Sequence, residues 1–262
     1  MENNIVRLNE FNIYNDKFVH DLKPIKFKSK NEQFFIKRYH RKIYLKGKIV
    51  PNMYINNELL FKDIKHPNLI EVINSLNFNQ YTYVFFKYYN YPDLIEIYNS
   101  KKHASLELYF FHKNIMKQLL DVIDFLHSQD IIHRDIKPDN ILYDSMNSKI
   151  YLCDFEYSCK WIENKSNNQV IKRVGSYTYL SPEMINGTID INYRKVDIWN
   201  LGIIFFILLS KGELLKISEL IQPRLVKKYI LENEYEFLQH SLNESPSERL
   251  EASELLELEY LK

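Results

Sequence analysis

A chain of 262 residues with 35 Lys+Arg against 34 Asp+Glu carries a formal net charge of +1, so composition gives no general electrostatic reason to bind nucleic acid or a membrane surface. Hydrophobic residues at 45% and aromatics at 15% exclude a disordered chain and suffice for a substantial core. Two cysteines, Cys153 and Cys159, cannot form a disulfide framework and read as small buried hydrophobes in a reducing, cytoplasmic or otherwise intracellular compartment. The start Met1-Glu2-Asn3-Asn4 has neither the basic lead nor the apolar core of a secretory signal, and the longest apolar run, 203–209, is too short to span a bilayer.

From 11 to about 44, apolar and polar residues alternate in short runs such as Ile25-Lys26-Phe27-Lys28 and Phe34-Phe35-Ile36-Lys37-Arg38-Tyr39, the period of antiparallel strands. Residues 55–65 place Leu59, Leu60 and Ile64 at helical spacing, and His66-Pro67-Asn68 closes that segment, since proline disfavours helix in the residue before it. Two further strand-like runs follow at 69–76 and 81–89. Beyond Asp93 the pattern turns to amphipathic helices, the clearest at 106–127 with Phe111, Ile115, Leu119, Val122 and Leu126 on one face. Strands, one helix, strands and then a helix-rich half make an α+β protein, with a hinge between two lobes expected near 89–93.

The segment His133-Arg134-Asp135-Ile136-Lys137-Pro138-Asp139-Asn140 closely resembles the catalytic loop of protein kinases that act on Ser or Thr. Phosphoryl transfer needs a carboxylate at the acceptor hydroxyl, metal ligands and a cation on the phosphates. The resemblance implies each in order. Asp135 is the base, Lys137 steadies the transferred phosphate, and Asn140 holds Mg²⁺. Tyr151-Leu152-Cys153-Asp154-Phe155-Glu156 resembles the family's Asp-Phe-Gly segment, with Asp154 as the principal Mg²⁺ ligand. Glu156 departs from the family's glycine, which would restrict the backbone and add negative charge beside the metal.

Gly175-Ser176-Tyr177-Thr178-Tyr179-Leu180-Ser181-Pro182-Glu183 is similar to the substrate-docking segment, and Asp197-Ile198-Trp199-Asn200-Leu201-Gly202 to the start of the large lobe's central helix, where Asp197 braces the catalytic loop through its backbone. Arg249 matches the late arginine that forms a buried pair with Glu183. Arg134 is the residue that usually receives a phosphate from the activation loop, for which Ser166 is one candidate site.

Upstream, Lys37 resembles the strand lysine that meets the nucleotide's α- and β-phosphates. Phe35 takes the place of the small residue above adenine. The helix glutamate that should pair with Lys37 is left open: counting back from His66 reaches Asn57, with Glu58 one residue later. Phe86 falls at the gatekeeper position, and Lys87, Tyr88 and Tyr89 form the hinge strand that faces adenine. No glycine precedes Gly47, so the phosphate-cradling glycine loop expected between 11 and 26 is missing; Tyr14, Lys17 and His20 fill that hairpin instead.

The resemblance therefore implies a bilobal kinase domain over 1–262: a small lobe at about 1–89, a hinge at about 87–93 and a large lobe at about 93–262. ATP and Mg²⁺ are the implied cofactors and a protein the implied substrate, with room for a regulatory partner and no role for nucleic acid or membrane. The alternative is a catalytically impaired scaffold, motivated by the missing glycine loop, Phe35 and Glu156. A small-molecule kinase of related fold is disfavoured by Lys137 and the 175–183 segment.

Overall fold

The computed structural model describes residues 27–29, 32–45, 48–100, 105–161, 177–188, 191–210 and 231–262. The N-terminal half holds β1 (Phe27–Ser29), β2 (Glu32–His40), β3 (Lys42–Leu45), β4 (Lys48–Pro51), α1 (Met53–Leu59), β5 (Val72–Phe78) and β6 (Tyr81–Lys87). The remainder is α2 (Leu94–Asn99), α3 (Ser105–Ser128), β7 (Ile131–Ile132), β8 (Ile141–Asp144), β9 (Lys149–Leu152), β10 (Cys159–Lys160), α4 (Pro182–Ile185), α5 (Tyr193–Leu209), α6 (Glu232–Ser241) and α7 (Ala252–Leu256). This is an α+β fold, an antiparallel sheet followed by a helical half.

The sheet runs β1-β2-β6-β5, with Phe35 directly opposite Phe86 and Lys37 opposite Val84. Alternation along β2 puts Phe35, Lys37 and Tyr39 on one face and Ile36 on the other. β3 falls at the end of the stretch expected to form antiparallel strands, and β4, for which no element was expected, pairs with it in a hairpin before the helix. Asn52 caps α1, its side chain accepting from the Tyr54 N–H, and after Leu59 the helix tightens into a 3-10 turn at Leu60–Lys62. Asp93 caps α2 in the same way, accepting from the Glu96 N–H at 2.8 Å.

Two helices build the core of the second half. Along α3, Ile115, Leu119, Val122 and Leu126 are fully buried, the face expected from their spacing. Helix α5 is buried along nearly its whole length and wholly apolar from Leu201 to Leu209, while its first turns also carry Lys195, Asp197 and Asn200 into the interior. It begins at Tyr193, capped by Asn192, so Asp197 lies a full turn inside it and not at its start. Gly202 lets α6 approach: a Cβ there would meet Leu242 Cδ2 at 2.6 Å and Ser241 Oγ at 2.7 Å. A bridge from Leu69 to Leu152 joins the two halves and one from Asp93 to Leu142 ties the start of α2 to the same β8–β9 hairpin, which lies in the half expected to be mainly helical.

Among the described residues no helix is long and apolar enough to cross a membrane. Cys153 and Cys159 are free and half-buried, so they pack as less completely enclosed groups than expected. Positions 14, 17, 20, 166, 175 and 176, given roles above, lie outside the described residues.

Candidate active site

The residues of β2, α1 and the loop after β9 converge on one amine. Lys37 Nζ lies 2.5 Å from Glu58 Oε1 and 2.6 Å from Asp154 Oδ1. Of the two residues the sequence left open, Glu58 faces Lys37, while Asn57 donates to the Glu156 carbonyl at 2.7 Å. The Tyr39 hydroxyl also donates to Glu58 Oε1, at 2.9 Å. Sequence reading missed Tyr39, although its place two residues beyond Lys37 on a strand puts it on the same face. Burial works against charge on Lys37, yet the adjoining Glu58 and Asp154 carboxylates hold it protonated above the ordinary lysine range. Burial would likewise raise Asp154, but Lys37 beside it keeps that carboxyl below its usual range.

A second cluster surrounds Asp135, which is nearly fully buried. Lys137 Nζ donates to Asp135 Oδ2 at 2.7 Å. Asn140 Nδ2 donates to the Asp135 carbonyl at 2.8 Å and to Oδ2 at 3.1 Å. These bonds commit the amide nitrogen of Asn140 and leave its oxygen as the atom able to ligate a cation. Together with the Asp154 carboxylate, that makes two hard oxygen donors suited to Mg²⁺.

The loop holding this cluster is strained and then clamped. Arg134 and Asp154 have φ of 68° and 66°, in the left-handed region that costs a residue with a Cβ about 1 kcal/mol or more. Asp197, fully buried in α5, compensates at Arg134: its carboxylate accepts from the N–H groups of His133 at 2.9 Å and Arg134 at 2.8 Å, with His127 Nε2 at 3.0 Å. Arg134 Nε donates to the Tyr157 carbonyl at 2.6 Å, and its guanidinium sits over Tyr193. An aromatic column ties the halves together, with Phe61 stacked on Phe155 at 3.7 Å and His133 edge-on to Phe155 at 5.9 Å.

Glu156 is accommodated without backbone strain, because the left-handed residue of the segment is Asp154 and not Glu156. The cost is electrostatic. Partial burial and the neighbouring Asp154 charge push the Glu156 carboxyl up to about 7. A raised folded-state value means the fold holds a proton that the unfolded chain releases, so this group's contribution is present below about pH 4.5 and lost as pH rises through about 7. Without divalent cation, Glu156→Gln is therefore expected to gain on the order of 1–3 kcal/mol over the parent between pH 5 and pH 8. Urea unfolding at the two pH values reads this directly; a gap that does not widen would rule it out.

Around the expected adenine position, Phe86 is fully buried and Phe35 half-buried, their rings 5.9 Å apart and edge to face. The Lys37 amine sits 5.6 Å from the Phe86 ring centre. Tyr88, just beyond the end of β6, donates its hydroxyl to Asn90 Oδ1 at 2.8 Å. Far from this cleft, Arg249 makes a two-pronged pair with Glu183, at 2.6 and 2.8 Å, with both side chains buried.

A strand lysine between two carboxylates, a loop with Asp, Lys and Asn on one centre, and a distant Glu–Arg lock define a family. The protein kinase domain model matches residues 23–261, and the chain belongs to that family. Among its relatives, calcium-dependent protein kinase 5 of Plasmodium berghei (strain Anka) is 34% identical over 171 residues, covering 62% of this chain and 29% of the relative. A protein of Acanthamoeba polyphaga mimivirus, named as a serine/threonine-protein kinase, is 30% identical over 214 residues, covering 80% of this chain and 71% of its own. The human phosphorylase b kinase gamma catalytic chain, liver/testis isoform, is 31% identical over 149 residues, 55% of this chain and 35% of that one. The matched region thus spans about a third or less of two of these three relatives.

Proposed function

We propose that this chain transfers the γ-phosphate of ATP, with Mg²⁺, to serine or threonine hydroxyls of protein substrates. The observation that carries this reading is the convergence of Lys37, Glu58 and Asp154 through contacts of 2.5 and 2.6 Å, with Asp135, Lys137 and Asn140 bonded together beside them. A bound metal would neutralise charge on the phosphates. Asp154 and Asn140 would hold it, and Lys37, itself held by Glu58, would meet the nucleotide phosphates. Phe35, Phe86 and Tyr88 would surround the base. Asp135 orients the acceptor hydroxyl and takes its proton, while Lys137 faces the transferring group. Lys137, two residues after Asp135, supports Ser and Thr as acceptors, and the mimivirus relative's name points the same way. We read 1–262 as one kinase domain with its hinge near 87–93.

A second reading, a scaffold that holds no nucleotide, is favoured by one observation: the Phe35 ring lies against Phe86 where adenine would enter. Thermal unfolding with MgATP separates the two. A ligand of the native state at 100 times its Kd raises stability by about 2.7 kcal/mol, so a clear rise in Tm is expected, and Lys37→Met should remove most of it. No rise at millimolar MgATP, together with no phosphate incorporated into generic protein substrates, would establish the scaffold.

A further inference from the structure

We infer that a groove at the junction of the two halves, on the side away from the Lys37 amine, is a docking site for an acidic peptide segment of a partner protein. Such docking is separate from the catalytic reading and does not depend on it. The groove has a volume of about 390 Å³, and its walls include Ile64, Leu69, Lys87, Tyr89, Lys149 and Tyr151. That is within the roughly 300–1,000 Å³ of clefts that take up ligands.

Strand geometry separates the groove from the candidate active site. Val84 and Phe86 lie opposite Lys37 and Phe35 in the sheet and share the face that carries the Lys37 amine. Lys87 is the next residue along β6, so alternation turns its side chain to the other face. On β9, Lys149 and Tyr151 likewise share the face opposite the buried Ile150 and Leu152. The loop after α1 that supplies Ile64 and Leu69 is fastened to both strands, by the Leu69 to Leu152 bridge and by the Lys87 N–H donating to the Glu71 carbonyl at 2.9 Å. Three elements thus fix the shape of the groove.

The charge within it is one-sided. Glu71 is the one carboxylate of the lining, and Lys65 pairs with it at 2.6 Å. Lys87 and Lys149 are in no ion pair among the described residues; their amines stand 5.9 Å and 5.3 Å from the ring centres of Tyr89 and Tyr151. Asp144, across the hairpin from Lys149, is taken up by the turn, accepting from the Met146 N–H at 3.0 Å and from Asn147 Nδ2 at 2.7 Å. Asp121 of α3 meets the lining at His66, 3.2 Å from its Nε2. In a chain whose net charge is only +1, two such amines over one aromatic floor are a local concentration of positive charge.

The floor decides between classes of anion. Tyr89 and Tyr151 pack on each other at 4.5 Å and each carries a lysine over its ring, so their faces are not open to stacked bases. Carboxylates of a peptide meet the two amines in charge-assisted bonds, and an aliphatic side chain between them covers Ile64 and Leu69.

The test uses the full chain without nucleotide and follows the anisotropy of three labelled probes: a peptide with Leu flanked by Asp and Glu, its counterpart with Lys in their place, and a single-stranded oligonucleotide equal in charge to the first. The acidic peptide should bind about tenfold or more tighter than the basic one, and more weakly as salt rises. Lys87→Glu combined with Lys149→Glu should weaken it about tenfold or more at unchanged Tm and turn the preference to the basic peptide. Lys149→Glu alone should lose part of the binding. An acidic peptide that does not bind at low salt, one whose binding survives the double variant, or an oligonucleotide held more tightly through the same lysines would overturn the docking site. No phosphate is transferred in this assay, so its failure leaves the catalytic reading untouched, and a chain found inactive as a kinase would leave the docking site standing.

Discussion

Asp135→Asn is expected to lower the rate of phosphate transfer by about 10²–10⁴-fold while leaving the fold and the MgATP-induced rise in Tm unchanged. The substitution keeps size and shape but removes the carboxylate that accepts from Lys137 at 2.7 Å and from Asn140 at 3.1 Å. An amide cannot take the acceptor's proton, and turned the wrong way it would present an N–H₂ to two donors that now lack an acceptor. Incorporation of labelled γ-phosphate, measured at saturating nucleotide, separates lost chemistry from lost binding. Equal rates for parent and variant would mean that the transfer comes from a contaminant or from another group.

Arg249→Leu is expected to cost about 3–5 kcal/mol of folding stability, a large share of the ~5–15 kcal/mol typical of a folded domain. Arg249 is 1% exposed and Glu183 6%. Losing the guanidinium strands a buried carboxylate, along with the Lys195 and Asn243 carbonyls that accept from Arg249 at 3.0 and 2.8 Å. It also removes the cation 4.9 Å over the Trp199 ring. The double variant Glu183→Leu with Arg249→Leu should recover part of the loss, because no unpaired charge remains. Denaturant midpoints for the two single variants and the double variant close the cycle. A single-variant loss under about 1 kcal/mol would show that the pair behaves like an ordinary surface bridge.

The Glu183–Arg249 pair was readable from two short motifs 66 residues apart, since each holds its charge beside residues of fixed role. The Lys37–Glu58 pair was not fixed in the same way. Counted back from His66 in the register of the resemblance, the paired position falls on Asn57, whereas Glu58 faces Lys37, so the stretch from that glutamate to His66, which includes the 3-10 turn at Leu60–Lys62, is one residue shorter than the register assumes. Glu156 illustrates another limit. A missing glycine reads as a conformational problem, yet the strained backbone lies two residues earlier, at Asp154, and the real consequence of the substitution is a crowded carboxylate. Short strands such as Ile141–Asp144 and Lys149–Leu152 escape pattern reading, because four residues hold too few alternations to separate from a loop.

The clamp at Asp197 has a consequence for how the acceptor loop moves. Two successive amides of the loop and a helix imidazole share one carboxylate that sits in a helix buried along nearly its whole length. Releasing His133 and Arg134 would strand that carboxylate in a dry interior, so the loop cannot open by itself at small cost, and its amides should exchange with solvent only when the helical half unfolds as a unit. The cleft can thus gain or lose its upper wall, with Lys37 and Glu58, while the floor that carries Asp135 keeps the lifetime of the core.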